Sequence, residues 1–381
     1  MISKKAQKIK PFLVMDVMER ACEMELEGAD IVHLELGEPD FESPEVIKEA
    51  GIRAIREGKT HYTHSLGLLE LREAICRRTK ERYGVSVSPE QILVTSGSSP
   101  CMQMTFAALL EPGDEVILAD PGYACYRNMV EFHGGVPVPV KLREEEEFQL
   151  LPEAIEEKIT SKTRAILINS PSNPTGTLIP AEHLQRVSGF GVPILSDEIY
   201  HGLVYGEPEH TILEFTDQAF VFNGFSKLYA MTGWRLGYVI IPKEFQRALQ
   251  KIQQNFFISA SAFVQWAGVA ALKSASADVR SMAETYNARR KVLLQGLRAL
   301  GLTIPYEPLG AFYVFVSVKR FCEDSLRFAF DVLARAHVGV APGIDFGENG
   351  EGFVRLSYAN SSERIQQGIQ RLGHYLKEIA R

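Results

Sequence analysis

Asn223-Gly224-Phe225-Ser226-Lys227-Leu228-Tyr229-Ala230-Met231-Thr232-Gly233-Trp234-Arg235-Leu236-Gly237 is the stretch on which the reading of this chain turns. It sets a lysine just past an apolar run and before an arginine that can grip a phosphate. An amine that condenses with an aldehyde as a Schiff base needs such a setting. The run at 219–223 before the lysine and the run at 236–241 after the arginine both read as strands.

Outward from that stretch, apolar runs alternate with helical patterns. Strands are predicted at 91–97, 115–119, 136–140, 165–169 and 193–197, and helices at 68–83, 100–110 and 181–187. Several of the runs are almost continuously apolar, as buried strands of a mostly parallel sheet are. The fold class is α/β, with a doubly wound, mostly parallel sheet flanked by helices and ligands at the carboxyl ends of the strands. From Lys243 to about Leu300 the pattern is helical. Strands at 312–318 and 352–358 and helices at 325–336 and 363–379 then form a smaller α+β domain.

Composition fits a soluble enzyme of more than one domain. The 381 residues are 45% hydrophobic and 23% charged, with 41 basic against 48 acidic side chains and a net charge of -7. That balance argues against nucleic acid and anionic membrane as partners. No apolar stretch is long enough for a membrane span or a signal-peptide core, since Pro11 and Asp16 interrupt the N-terminus. The 5 cysteines are scattered and odd in number, which implies reduced thiols in a cytoplasmic protein. No zinc pattern, phosphate loop or dinucleotide fingerprint occurs, so no metal is expected. Gly224-Phe225-Ser226-Lys227-Leu228 starts like a nucleophile elbow, but the closing glycine is missing. The run Glu144-Glu145-Glu146-Glu147 reads as a solvated turn. His61 and His64 lack a carboxylate or cysteine beside them and read as surface or interface histidines.

Other segments carry candidate chemistry, and each has a bland reading beside it. Asp197, in Ser196-Asp197-Glu198-Ile199-Tyr200, ends an apolar run; it is either a helix cap or the partner of a buried cation. Asn173, in Ser172-Asn173-Pro174-Thr175-Gly176, taken alone reads as a turn residue. Thr95-Ser96-Gly97-Ser98-Ser99 opens a helix near Pro100. Such a start suits an anion, though Ser/Gly turns are also common caps. Tyr123, in Pro121-Gly122-Tyr123, taken alone is ordinary packing. Arg355, in Phe353-Val354-Arg355-Leu356-Ser357, sits inside an apolar strand, either in a buried ion pair or as a fork for a carboxylate.

Taken in order, these segments resemble the class I pyridoxal-phosphate-dependent aminotransferase family, of the aspartate aminotransferase fold. The matches run from Leu36 to Ala359, and the stretch around Lys227 is the most specific. Leu36-Gly37-Glu38-Pro39-Asp40-Phe41, His61-Tyr62-Thr63-His64-Ser65-Leu66-Gly67 and Pro342-Gly343-Ile344-Asp345-Phe346-Gly347 match further family elements. The resemblance implies pyridoxal 5'-phosphate as cofactor, joined to Lys227 as an aldimine. It implies that Asp197 pairs with the ring nitrogen, Tyr200 and Asn173 with the phenolic oxygen, and that Tyr123 stacks on the ring. Gly97, Ser98, Ser99 and Arg235 would hold the phosphate, with Tyr62 reaching the phosphate of the other subunit. Arg355 would take the substrate carboxylate, with Asn173 and Gly37 alongside.

The implied function is ping-pong transamination from an L-amino acid to a 2-oxo acid, in a homodimer with shared active sites. The implied domains are 45–285 for the cofactor and a discontinuous 1–44 plus 286–381. The departures concern substrate. The stretch Gln253-Gln254-Asn255-Phe256-Phe257-Ile258-Ser259-Ala260-Ser261 has no arginine, where aspartate-specific relatives supply one from the partner. Gly224 stands where serine is usual. Strict aspartate specificity is therefore not expected. The alternative is a pyridoxal-phosphate-dependent carbon–sulfur beta-lyase on the same fold. A non-catalytic regulator is disfavoured, since the chain starts directly at the family's N-terminal arm and leaves no room for a fused DNA-binding domain.

Overall fold

The computed structural model describes residues 2–380. A short strand β1 (Val32–His33) follows an N-terminal helix Leu13–Leu26. Then come β2 (Ile92–Thr95), β3 (Glu115–Asp120), β4 (Val136–Lys141), β5 (Thr163–Asn169), β6 (Ile194–Asp197), β7 (Ala219–Gly224) and β8 (Gly237–Ile240). These seven make one sheet in the order β2-β8-β7-β6-β5-β3-β4. Within it β4, β3, β5, β6 and β7 run parallel, while β8 is antiparallel to both β7 and β2. The strand ends at Thr95, Asp120, Asn169, Asp197 and Gly224 therefore share one edge, and only β8 enters there.

Burial on both faces explains the near-continuous apolar runs. Successive side chains along a strand point to opposite faces. On one face Leu93, Leu118, Leu167, Phe220 and Phe222 pack with Met102 and Phe106 of helix Ser98–Leu109. On the other, Val94, Ile117, Ile166, Ile168, Val221 and Ile240 join the main core. Each large aliphatic side chain removed from water contributes about 1.5–3 kcal/mol. The strand β4 departs from that pattern. It is the sheet edge and half-exposed, and Pro137 and Pro139, which have no N–H to give a ladder, are tolerated there.

After β8 the chain forms helices Gln246–Phe256, Ala262–Ser274 and Ser276–Ala299. The last runs unbroken through the expected domain boundary at 285/286. Then follow β9 (Tyr313–Ser317), helix Ser325–Ala336, β10 (Val338–Gly339), β11 (Ala341–Pro342), β12 (Phe353–Ser357) and helix Ser362–Ile379. β11, β12 and β9 form an antiparallel sheet, and β1 pairs with β10. The N-terminal segment is thus tied to the C-terminal one. Asp345 strengthens that tie, accepting from Leu13 N at 2.9 Å and Val14 N at 3.1 Å and so capping helix Leu13–Leu26. Asp16, which interrupts the apolar pattern of the N-terminus, lies in the first turn of that helix, where a negative charge suits the dipole. Pro11 stays outside the helix.

Among the described residues no helix is long and apolar enough to cross a membrane. Among the same residues no cluster of histidine, cysteine, aspartate and glutamate is arranged to hold a metal.

Candidate active site

The shared strand edge opens into a cavity of about 380 Å³. Its wall carries Gly37, Ser98, Ser99, Tyr123, Asn173 and Asp197, with Tyr200, Lys227, Arg235 and Arg355. The common edge explains the convergence, since Asp197 ends β6 and Lys227 follows β7. Arg355 comes from β12 across the cleft.

Lys227 is partly buried, and its Nζ donates to Gly37 O at 2.6 Å. Burial pushes its amine down to about 8, with nearby Glu38 opposing and Arg355 and Arg235 reinforcing the fall. Asp197 is 5% exposed. Its Oδ2 accepts from Tyr126 Oη at 2.5 Å and its Oδ1 from Ile199 N at 3.1 Å. Burial raises its carboxyl to about 6 despite those bonds. No cation pairs with it among the described residues, which leaves a site fit for a protonated ring nitrogen.

The helix Ser98–Leu109 opens two residues before Pro100. Its N-cap, Gly97, makes no side-chain cap, so first-turn amides are free for an anion. Gly97 has φ +100, and a Cβ there would come within 2.6 Å of Arg235 Nη2. A Cβ on Gly237 would lie 2.6 Å from Ser98 N. Close backbone approach, free amides and an exposed guanidinium form a cradle that fits a phosphate.

Arg355 is 2% exposed. Its Nη1 donates to Asn173 Oδ1 at 2.9 Å and its Nη2 to Glu35 O at 2.5 Å, while Nε has no partner among the described residues. An incomplete guanidinium facing a cavity fits a carboxylate. Because Asn173 Oδ1 is engaged by Arg355, its amide nitrogen is the end left for a ligand oxygen. Tyr200 Oη lies 2.8 Å from Tyr313 Oη. Tyr123 is held edge-on by Phe12 at 6.0 Å and Tyr126 at 5.2 Å.

Tyr62 is the exception: it is 80% exposed and outside the cavity of its own chain. Conversely, Tyr126, Asn169 and Tyr313 line the cavity without a sequence signal, because each reads alone as ordinary packing or a turn residue. Phe12, Val14, Met15 and Met18 add an apolar wall from the N-terminal segment, visible only once that segment is folded over the strand edge.

The family model for aminotransferase class I and II matches residues 29–372. A "(5-formylfuran-3-yl)methyl phosphate transaminase" of Methanocaldococcus jannaschii is 41% identical, over 99% of this chain and 100% of that protein. An "aspartate/prephenate aminotransferase" of Thermus thermophilus is 40% identical, over 98% of both chains. The solved aspartate aminotransferase of Thermus thermophilus with maleate superposes with a TM-score of 0.94 at 39% identity, covering 98% of this chain and 99% of that one.

Proposed function

The chain belongs to the class I and II aminotransferases, and from that premise we propose that its 380 Å³ cavity holds pyridoxal phosphate and carries out ping-pong transamination. The observation that carries this reading is the convergence of Lys227, Asp197 and Arg355 on that one cavity. Bound there, the cofactor would supply the aldehyde that receives the amino group and a ring that spreads the electron pair left at the substrate alpha carbon.

The chain's own residues supply the rest. Asp197 keeps the ring nitrogen cationic. The amides of Ser98 and Ser99, with Arg235, hold the phosphate, and Gly97, whose own amide donates to Thr95 O at 2.9 Å, leaves the Arg235 guanidinium room beside the turn. Tyr123 covers the ring, and Tyr200 and Asn173 address its phenolic oxygen. Arg355 grips the alpha-carboxylate, with Gly37 and Asn173 beside it. Lys227, with its amine lowered to about 8, is neutral often enough near neutrality for Nζ to take the alpha proton and give it back. The alternative beta-lyase reading finds no support in the relatives named above.

Substrate choice follows from the walls. The cavity cations Lys227, Arg235 and Arg355 each have a task, and the stretch from Gln253 to Ser261 brings no arginine. Phe12, Val14, Met15 and Met18 offer an apolar face instead. Neutral aliphatic or aromatic amino acids are therefore the expected donors, with glutamate also serving. Relatives named for aspartate and prephenate make aspartate the comparison substrate. A donor panel with higher kcat/KM for aspartate than for any neutral amino acid would overturn this point.

Assembly as a homodimer is supported by surface chemistry. Tyr62 is 80% exposed, Phe256 75%, Phe257 45% and Ile258 45%. The two segments adjoin, since Thr63 N donates to Ser259 Oγ at 3.3 Å. A second copy would cover this patch and bring Tyr62 to its phosphate. The five free cysteines fit a reducing cytoplasm. The test of the whole reading is Lys227→Ala. It should abolish the visible absorbance change on adding cofactor and lower turnover at least ~10³-fold, with the fold retained. Normal turnover in that variant refutes the assignment.

A further inference from the structure

Tyr313 belongs to no motif, yet three candidate site residues converge on it. It opens β9 and is 1% exposed. Its hydroxyl lies 2.8 Å from that of Tyr200, its only hydrogen-bond partner among the described residues. Its ring lies beside the Arg355 guanidinium, with the guanidinium carbon 4.3 Å from the ring centroid. A Cβ on Gly37 would approach the Tyr313 hydroxyl to 2.5 Å. The bare Cα of Gly37 is therefore what lets that hydroxyl reach Tyr200, while its carbonyl holds Lys227 Nζ.

Two physical consequences follow. A guanidinium tied at Nη1 and Nη2 but free at Nε can still pivot, and an aromatic face in contact with it fixes its plane. A phenol has one proton. If Tyr200 spends its proton on a ligand oxygen, it can accept the proton of Tyr313, and a donor that also accepts is polarised into a better donor. Burial raises both phenols above their ordinary range, so both remain protonated donors.

We propose that Tyr313 is a positioning residue joining the two ends of the site: its ring sets the plane of the Arg355 fork, and its hydroxyl feeds the hydrogen bond that Tyr200 offers the cofactor. This rests on the reading in which Arg355 takes the carboxylate and Tyr200 the phenolic oxygen. A donor to an anionic oxygen favours the proton-free form of the bound chromophore, so weakening that donor moves its titration to higher pH.

The experiment uses the holoenzyme and two variants, Tyr313→Phe and Tyr313→Leu. The first readout is the midpoint of the pH titration of visible absorbance. The second is the calorimetric Kd of 3-phenylpropionate, a carboxylate with no amino group to transfer. Tyr313→Phe keeps the ring, so its Kd should stay within about twofold while its midpoint rises by about half a pH unit. Tyr313→Leu should show the same rise and weaken the Kd by about tenfold. An unmoved midpoint in Tyr313→Phe, or wild-type affinity in Tyr313→Leu, overturns the inference; should the leucine variant not fold, the phenylalanine midpoint decides alone. Two controls separate this inference from the reading beneath it. Wild-type carboxylate affinity in Arg355→Lys, or an unmoved midpoint in Tyr200→Phe, refutes that reading. Effects in both controls without effects at Tyr313 refute only the inference.

Discussion

Asp197 and Glu198 are neighbours in the chain, both carboxylates, both almost fully buried at the end of β6. They face opposite ways and end in opposite situations. Glu198 Oε1 accepts from Ser196 Oγ at 3.0 Å, Thr211 Oγ1 at 2.9 Å and Ile212 N at 3.1 Å, and His201 Nδ1 stands 3.4 Å from Oε2. Burial still raises its carboxyl, with His201 as the main counterweight. Around it lies a closed network. Tyr83 Oη donates to Glu209 at 2.6 Å, and Arg82 Nε donates to Glu209 at 2.6 Å. Burial opposes ionisation of Glu209, but His201 and Arg82 hold its carboxyl down at about 2. Asp197, by contrast, has one phenol and one amide as its side-chain partners among the described residues, and it lines the cavity. A buried charge whose partners all come from the chain is finished at folding; one whose partner set stops at a cavity wall is finished only by a ligand.

The largest expected effect breaks the pair at Asp197. Asp197→Asn should lower kcat/KM by at least ~10³-fold, because the ring nitrogen loses its counter-charge. It should also stabilise the cofactor-free protein, with a definite pH signature. The folded carboxyl is raised from its ordinary 3.8 to about 6, so the folded state binds its proton more tightly than the unfolded state does. That contribution is fully present below about pH 3.8 and is lost as pH rises through about 6. Melting temperatures of variant and wild type should agree near pH 4 and diverge above pH 6 in favour of asparagine. A variant less stable than wild type at pH 8 would place Asp197 with Glu198 as a structural acid.

Arg355 extends the contrast to a cation, since its Nε is left without a partner among the described residues. Arg355→Lys keeps the charge and loses the planar fork, so kcat/KM should fall roughly 10²-fold for every amino acid. A loss confined to one substrate class would remove the alpha-carboxylate role.

The same idea applies at the surface, where exposed Tyr62 awaits a partner of another kind. Mixing Lys227→Ala and Tyr62→Ala chains should create heterodimers with one intact site of two, approaching about half the wild-type activity per dimer. Verified heterodimers with only the average of the parental activities would place Tyr62 outside the partner's site.

The smallest catalytic effect belongs to Glu198. Glu198→Gln removes an anion from a network already complete and off the cavity wall. Stability should fall by about 1–3 kcal/mol while kcat/KM stays within about fivefold. A collapse of activity with unchanged stability would erase the distinction between the two acids.

The sheet was legible because its strands are buried on both faces and so read as unbroken apolar runs between polar helical stretches. The prolines of β4 mark where that logic ends, at an edge that apolarity alone does not reveal. Lys227, Asp197 and Arg355 were legible as candidates because a charge at the end of such a run or inside it is costly without a purpose, and Arg235 because a guanidinium close after the lysine can grip a phosphate, whereas Asn173 alone reads as a turn residue and owed its place to the family resemblance. Tyr126, Asn169 and Tyr313 were not, because a tyrosine or asparagine next to apolar residues looks the same whether its polar end faces a cavity or a backbone carbonyl.

The sequence by itself determined the order of strands and helices, the family and the residues able to do the chemistry, since each depends on local pattern and residue type. Tertiary structure alone decided which of two adjacent acids faces the cavity. It also decided that Arg355, far along the chain, meets Asn173, that Met15 and Met18 line the same space as Lys227, and that Tyr62 does not. Those facts depend on which strand ends share an edge and what folds across them, and no spacing along the chain encodes a distance through space.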